Sequence, residues 1–551
     1  MKQLLTRAAQ ILLCVAASTA TPLLAQQSCE SLQDLQLPET TITSAETVPA
    51  GDFKLPPGGL VPSMNLPAFC RVKADLKPSS DSLIKIEVWM PLEGWNGKFE
   101  QLGNGGLAGS INLYMLASEM KHGFATAGTD DGHTGQGTDG SWAIGHSEKV
   151  RDFGYRAVHE TNLKAKKIIA AFYQKSFRYS YFNGCSEGGR EALMEAQRFP
   201  DDFDGILAGA PAHYWTSLMA AFAWNAQALS DPASYPGDPA RLALQNAAIA
   251  KCGTQDGVTD KFIKDPLRCH FDPSVVLCKD AASGSCLTQP QVDALKKIYA
   301  GPVNSATGKQ ISPGYEPGVE AEPGLPGINF SSYVFGFGPG LSLDSIFAGS
   351  VYGGFVFEDP AWKVTQLNFD KDIATAEAKI GPILNASDPD LKAFQAHGGK
   401  LIQYHGWNDG SPPPLHSVNY YVSVLSRMGG VEKTQSFYRL FMVPGMMHCG
   451  AGPGPNAFGN LMDLAPAQDP QHNIFVALQN WVEKGPAPDR IIATKYNEDN
   501  PTKGVAMTRP LCPFPQQAKW NGKGPASDEG NWSCAAPPEA SVKKSSLPEK
   551  H

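Results

Sequence analysis

Three short stretches carry side chains that, in this chain order, could perform acyl transfer through a serine: Gly184-Cys185-Ser186-Glu187-Gly188, Asp409 closing an apolar run, and His448 within Pro444-Gly445-Met446-Met447-His448-Cys449. The first fits G-x-S-x-G. In that pattern a sharp turn from strand to helix lifts the serine hydroxyl clear of its surroundings, and the flanking glycines let the backbone fold without a Cβ clash. Ser186 is therefore the candidate nucleophile. The backbone N–H of Glu187 would face a developing oxyanion at the helix N-terminus, where the dipole also favours negative charge. His448 would take the proton from Ser186 and return it to the leaving group. Asp409 would hold the imidazole tautomer and stabilise its cation. Either residue alone reads more simply as structural; the order Ser, Asp, His, each at a strand end, is what points to chemistry. Cys185 precedes the serine and Cys449 follows the histidine, so a bridge between them would clamp both loops.

A scaffold for these residues can be read from the apolar periodicity. Ile84–Met90 alternates strictly and is the first clear strand. Lys98–Leu102 is the next, running into the glycine cluster Gly103–Gly109. Glycines there let backbone N–H groups approach a ligand, as a second oxyanion donor requires; no G-K-[ST] follows, which excludes a phosphate cradle. Phe124–Gly128 is a further strand, leading into Thr129-Asp130-Asp131-Gly132-His133, read as a polar turn. Arg151–Gln174 has mostly helical spacing. Arg178–Phe182 and the helix formers Arg190–Ala196 flank the serine turn, and Asp204–Pro211 gives the following strand. Later come strands at Lys400–Asp409 and Ser436–Val443 and a helix at Asn473–Lys484. The alternation predicts an α/β fold: a mainly parallel sheet covered by helices on both faces. Residues 213–398 lack that rhythm and hold aromatic and proline-glycine clusters, so they are expected to form a large inserted lid built of loops. The division is then 26–212, the lid at 213–398, and 399–536.

Composition narrows the partners. The 551 residues are 42% hydrophobic and 18% charged with a net charge of −8, which leaves no broad basic surface for nucleic acid. Residues 1–25 read as a secretory signal, with Lys2 and Arg7 before a short apolar core and a cut after Ala25; no other stretch could span a membrane. The mature chain is expected in the periplasm or outside the cell. Removing Cys14 leaves ten cysteines, enough for five bridges in an oxidising compartment, their pairing not fixed by sequence. No C-x-x-C occurs, which argues against zinc. Residues 26–80 are expected to wrap the surface, and 537–551 to be a disordered tail. Between Cys252 and Cys269, the spaced acids Asp256 and Asp260 suit either a hard cation or a plain polar turn.

These pieces together resemble the tannase and feruloyl esterase family of α/β-hydrolases, which includes mono(2-hydroxyethyl) terephthalate hydrolase. The resemblance is carried by GCSEGGR (184–190), HGWND (405–409), PGMMHC (444–449), GNGG (103–106) and DGILAGAPA (204–212). It implies an α/β-hydrolase fold with a lid, a triad of Ser186, Asp409 and His448, and an oxyanion hole from the backbone of Glu187 and Gly106. It also implies the bridges Cys185–Cys449, Cys29–Cys70, Cys252–Cys269, Cys278–Cys286 and Cys512–Cys534. A structural Ca2+ is implied on the side chains of Asp256 and Asp260 and the carbonyls of Val258 and Phe262, with no organic cofactor. Gly253 stands where the family usually has another aspartate, and Gly410-Ser411 where a proline is commoner. The implied activity is a secreted serine esterase acting on small esters of aromatic acids, gallate or hydroxycinnamate first. Terephthalate monoesters are the alternative, and a catalytically silent polyphenol- or carbohydrate-binding protein is the rival of another class.

Overall fold

Nine strands form one twisted sheet: β1 (Thr40–Val48), β2 (Phe69–Leu76), β3 (Ile84–Pro91), β4 (Lys98–Leu102), β5 (Ala125–Thr129), β6 (Tyr179–Cys185), β7 (Gly205–Gly209), β8 (Lys400–Gly406) and β9 (Tyr438–Val443). Their spatial order is β1-β2-β3-β5-β4-β6-β7-β8-β9. The pairings β1–β2, β2–β3 and β3–β5 are antiparallel, whereas every pairing from β5–β4 through β8–β9 is parallel. The computed structural model describes residues 26–56, 61–279, 284–324, 327–460 and 465–536. The expected signal at 1–25 and tail at 537–551 lie outside the described residues.

Both faces of the parallel half are covered, which is why its strands read as nearly continuous apolar runs. Phe182, Ile206 and Leu401 point to one side, into a core shared with α2 (Ala157–Tyr173), α3 (Glu187–Arg198) and α7 (Pro414–Met428). Their neighbours Tyr181, Leu207 and Ile402 point to the other side, where Leu478 and Trp481 of α8 (Ile474–Lys484) close the layer. Helix α1 (Leu113–Lys121) covers Trp89 and Leu102 through Leu116 and Met120. Because the parallel strands share one direction, the C-terminal ends of β4, β6, β8 and β9 open on the same rim, and the candidate catalytic and oxyanion-hole residues follow those ends.

Two expectations need correction. Residues 26–80 do not simply wrap the surface: β1 and β2 lie within them and extend the sheet. Only Ile42 of β1 is buried, so that edge strand has no apolar alternation to read, although Cys70, Val72, Ala74 and Leu76 of β2 do alternate. Residues 213–398 contribute no strand to the main sheet, as expected, yet they are not built of loops. They hold helices α4 (Trp215–Ala228), α5 (Asp238–Cys252), Gln289–Ala300 and α6 (Leu343–Ser350), around a core that includes Trp215, Phe222, Leu244, Leu295 and Phe335. Ten of the 14 residues of α4 are buried, which removes the one-sided stripe by which a helix is usually recognised. Among the described residues there are five disulfides: Cys29–Cys70, Cys185–Cys449, Cys252–Cys269, Cys278–Cys286 and Cys512–Cys534. No helix among the described residues is long and apolar enough to cross a membrane.

Candidate active site

Strand β6 ends at Cys185 and helix α3 begins at Glu187, leaving Ser186 alone to make the turn. It does so at φ 67° and ψ −118°, a conformation that a residue with a Cβ adopts only under constraint. The constraint is visible on both sides. Ser186 N–H donates to Gly209 O at 3.0 Å, and its carbonyl accepts from Arg190 and Ala212 N–H at 3.1 Å each. A Cβ at Gly184 would lie 2.5 Å from Gly188 O, so the turn closes this tightly only with glycine on both arms. At the first turn of α3 the Gly188 N–H is taken by Asn104 O, which leaves the Glu187 N–H for a ligand on Ser186.

The glycine loop after β4 is fastened to that helix. Asn104 N–H donates to Glu191 Oε2 at 3.0 Å and Asn104 Nδ2 to Glu191 Oε1 at 3.3 Å. In return Gly188 N–H donates to Asn104 O at 2.9 Å. Gly106 has φ +62°, and a Cβ there would meet Gly137 O at 2.3 Å; only glycine fits. Arg190, fully buried, pairs with Glu187 through Nε at 2.8 Å and donates to the carbonyls of Gly154 and Phe153 at 2.6 and 2.9 Å. Asp131, Glu187 and Glu191 come within 4.8 Å of one another beneath the turn. Burial and the two neighbouring carboxylates push Asp131 well above the usual range; burial raises Glu187 to about 7 against the pull of Arg190. Asp131 thus packs beside the two acids at the start of α3. Asp130 is the polar turn expected of it, accepting from Lys85 and Gly132 N–H at 2.9 and 3.0 Å. From sequence Arg190 and Glu191 read only as part of a helix and Asp131 only as part of a polar turn, with no role at the serine turn.

At the ends of β8 and β9 the acid and the histidine meet. His448 Nδ1 lies 2.8 Å from Asp409 Oδ2, and the carboxylate is 0% exposed. Asp409 is held on every side by donors: Ser411 N–H reaches Oδ1 at 2.7 Å, and His405 Nε2 reaches Oδ2 at 3.1 Å. A proline at 411 could not make the first of these bonds. Gln403 Nε2 donates to Ser417 Oγ at 2.6 Å, leaving that hydroxyl to donate to His405 Nδ1 at 2.7 Å. His405 Nε2 therefore carries a hydrogen, which Pro412 O accepts at 3.2 Å with Asp409 Oδ2 close by. Burial alone would raise Asp409, but the charge of His448 and the bonds from both histidines outweigh it and hold the carboxyl at about 2. His405 and Ser417 are supports that sequence reasoning missed.

The disulfide Cys185–Cys449, with a Cα–Cα distance of 6.0 Å, ties the serine turn to the histidine loop. It closes 264 residues of chain and restricts the separation of Ser186 from His448. Among the described residues the hydrogen bonds of Ser186 are made by its backbone; its Oγ is not hydrogen-bonded to His448. Nucleophile–base contacts are commonly long before substrate binds. The insertion reaches the same place. Tyr333 sets its ring edge against His448, centroids 5.6 Å apart at 79°, with Phe347 and Phe222 behind it, and Ile328 O accepts from His448 N–H at 3.1 Å.

Both carboxylates among the expected calcium ligands are taken up by cationic side chains. Asp256 is paired with Lys264 and Arg268, and Asp260 with Arg509. Among the described residues neither belongs to a cluster of three metal-ligating side chains. As arranged, this donor set does not fit a divalent cation.

The chain and its architecture have counterparts. The family model described as tannase and feruloyl esterase matches residues 70–535. An uncharacterized esterase of Xanthomonas campestris pv. campestris is 42% identical over 537 residues, covering 93% of this chain and 92% of that protein. A probable feruloyl esterase B-2 of Neosartorya fischeri is 33% identical, covering 92% of this chain and 95% of its own length. The crystal structure of feruloyl esterase B from Aspergillus oryzae superposes with a TM-score of 0.83 at 32% identity, over 92% of this chain and 99% of that one. Tannin acyl hydrolase from Aspergillus niger, at 24% identity and a TM-score of 0.72, shares the fold. The chain is a carboxylic ester hydrolase with an α/β-hydrolase fold, and it belongs to the tannase and feruloyl esterase family.

Proposed function

We propose that the chain is an exported serine esterase that releases aromatic carboxylic acids through an acyl-enzyme, with Ser186 as nucleophile, His448 as base and Asp409 as its orienting acid. The observation that carries this reading is the Asp409–His448 pair, tied by Cys185–Cys449 to a serine held in a strained turn. As Ser186 Oγ bonds to the ester carbonyl carbon, its proton passes to His448 Nε2 and the carbonyl oxygen becomes an oxyanion. The N–H groups of Glu187 and Gly106 receive that charge. Collapse breaks the bond to the alcohol oxygen, which takes the proton from His448 and leaves. Water then gives its proton to His448 and its oxygen to the acyl carbon, and the acid departs as Ser186 recovers its hydrogen. Asp409 stays ionised throughout, stabilising the imidazolium, and Glu191 keeps the glycine loop registered against α3.

Aromatic substrates are favoured because Tyr333, backed by Phe347 and Phe222, stands edge-on to His448, and a planar ring can pack against such a wall. The relatives called feruloyl esterase point the same way. Five disulfides and the secretory signature at 1–25 support export. The substrate class is tested with purified protein on methyl ferulate, methyl gallate and a terephthalate monoester. We expect kcat/KM on a hydroxycinnamate or gallate ester to exceed that on the terephthalate monoester. A preference for the terephthalate ester would reassign the acyl group, and turnover of none of them would remove the aromatic assignment.

A further inference from the structure

The loop between Cys252 and Cys269, where a structural cation is expected from the resemblance, has its charges matched from within the chain. Asp256 and Gly257, at φ 54° and 80°, make the two-residue turn of a hairpin joining Thr254–Gln255 to Val258–Thr259. Asp-Gly is a favoured pair for such a turn because both positions need positive φ. The Asp256 carboxylate lies 2.6 Å from Lys264 Nζ and takes Arg268 at 3.1 and 3.2 Å. Asp260, 249 residues from Arg509 in sequence, receives its guanidinium on both oxygens at 2.9 and 3.1 Å. Asp265 takes Arg268 Nε at 3.1 Å and Gln517 Nε2 at 2.8 Å. Three carboxylates thus face three cations on tethers. Nor can a further acid enter at 253: a Cβ on Gly253 would lie 2.6 Å from Ile249 O and 2.9 Å from Asp260 O.

We propose that Lys264, Arg268 and Arg509 hold this loop in the place of a metal, so that the protein is folded and stable without calcium. The pairs differ in weight. Asp256 is 33% exposed, where a single ion pair contributes little, but Asp260 and Arg509 are 6% and 8% exposed, and removing one partner there strands a buried charge. Arg509 also lies over the Trp532 ring at 4.0 Å, on a segment stapled by Cys512–Cys534, so the pair joins the insertion to the C-terminal strands. The loop in turn braces the site. Phe262 is buried against Gly445, whose Cβ position is 2.8 Å from the ring, and Gly445 lies three residues before His448.

The test uses the full mature chain and calcium alone as the probe, read by bound-metal content and thermal melting, so its result does not depend on the proposed serine mechanism. After treatment with a strong chelator, and again with excess Ca2+, the parent is expected to hold close to no calcium per chain and to melt at one Tm. One retained ion per chain, or a Tm that falls on chelation and returns with Ca2+, would overturn the proposal. Arg509→Met is expected to lower Tm by roughly 3–5 °C and Lys264→Met by less. An Arg509→Met protein melting with the parent would equally overturn it. If that variant does not fold, the parent's calcium content and melting still decide.

Discussion

Ser186→Ala is expected to lower kcat roughly a million-fold while leaving Tm within about 1 °C of the parent. The first half follows from the role of the oxygen: without it there is no atom to carry the acyl group, and what remains is the pull of the oxyanion donors on a water-driven reaction. The second half follows from the geometry. Ser186 is held by bonds from its own N–H and carbonyl, which alanine keeps, and its Oγ makes no hydrogen bond to His448 that would be lost. Steady-state kinetics beside a melting curve measure both. A variant that melts with the parent and turns over at more than a hundredth of its rate would remove Ser186 from the mechanism.

Asp409→Asn is expected to lower kcat about 10⁴-fold with KM little changed. Three donors converge on this carboxylate, from Ser411 N–H, His405 and His448. An ionised carboxylate only accepts, so it satisfies all three; an asparagine must turn its NH2 toward one of them. On the Oδ2 side that forces His448 to accept at Nδ1 and carry its hydrogen on Nε2, the tautomer that cannot take a proton from serine. The pH behaviour has a definite sign. Asp409 is depressed from 3.8 to about 2, so its contribution to stability is present above pH 3.8 and is lost only as pH falls toward 2. It therefore adds no acid limb to activity between pH 5 and 8. A kcat for Asp409→Asn within tenfold of the parent would show that His405 or another group orients the base instead.

The serine turn was readable because its signals are local: glycines that must approach within contact distance, a strand before and a strong helix after. The acid and histidine were readable because each ends a short apolar strand, and chain order does the rest. Supports made by residues far apart in sequence left no such mark. Nothing near Asp260 announces Arg509, and nothing in Glu-Ala-Leu-Met-Glu (191–195) tells which carboxylate of α3 fastens the glycine loop. Periodicity failed where burial is extreme: α4 is covered on most sides and shows no stripe, while β1 buries only Ile42 and shows no alternation. At Asp256–Gly257 the sequence leaves a cation ligand and a polar turn equally open, and the pair makes a hairpin turn whose charge is met by Lys264 and Arg268.

The most direct test is irreversible labelling with a fluorophosphonate, followed by peptide mapping of the adduct by mass spectrometry. One phosphonyl group per chain on Ser186, with turnover lost in proportion to labelling and no label on Ser186→Ala, is the predicted result. Full turnover after exhaustive treatment, or an adduct on a different residue that accompanies the loss of activity, would contradict the account.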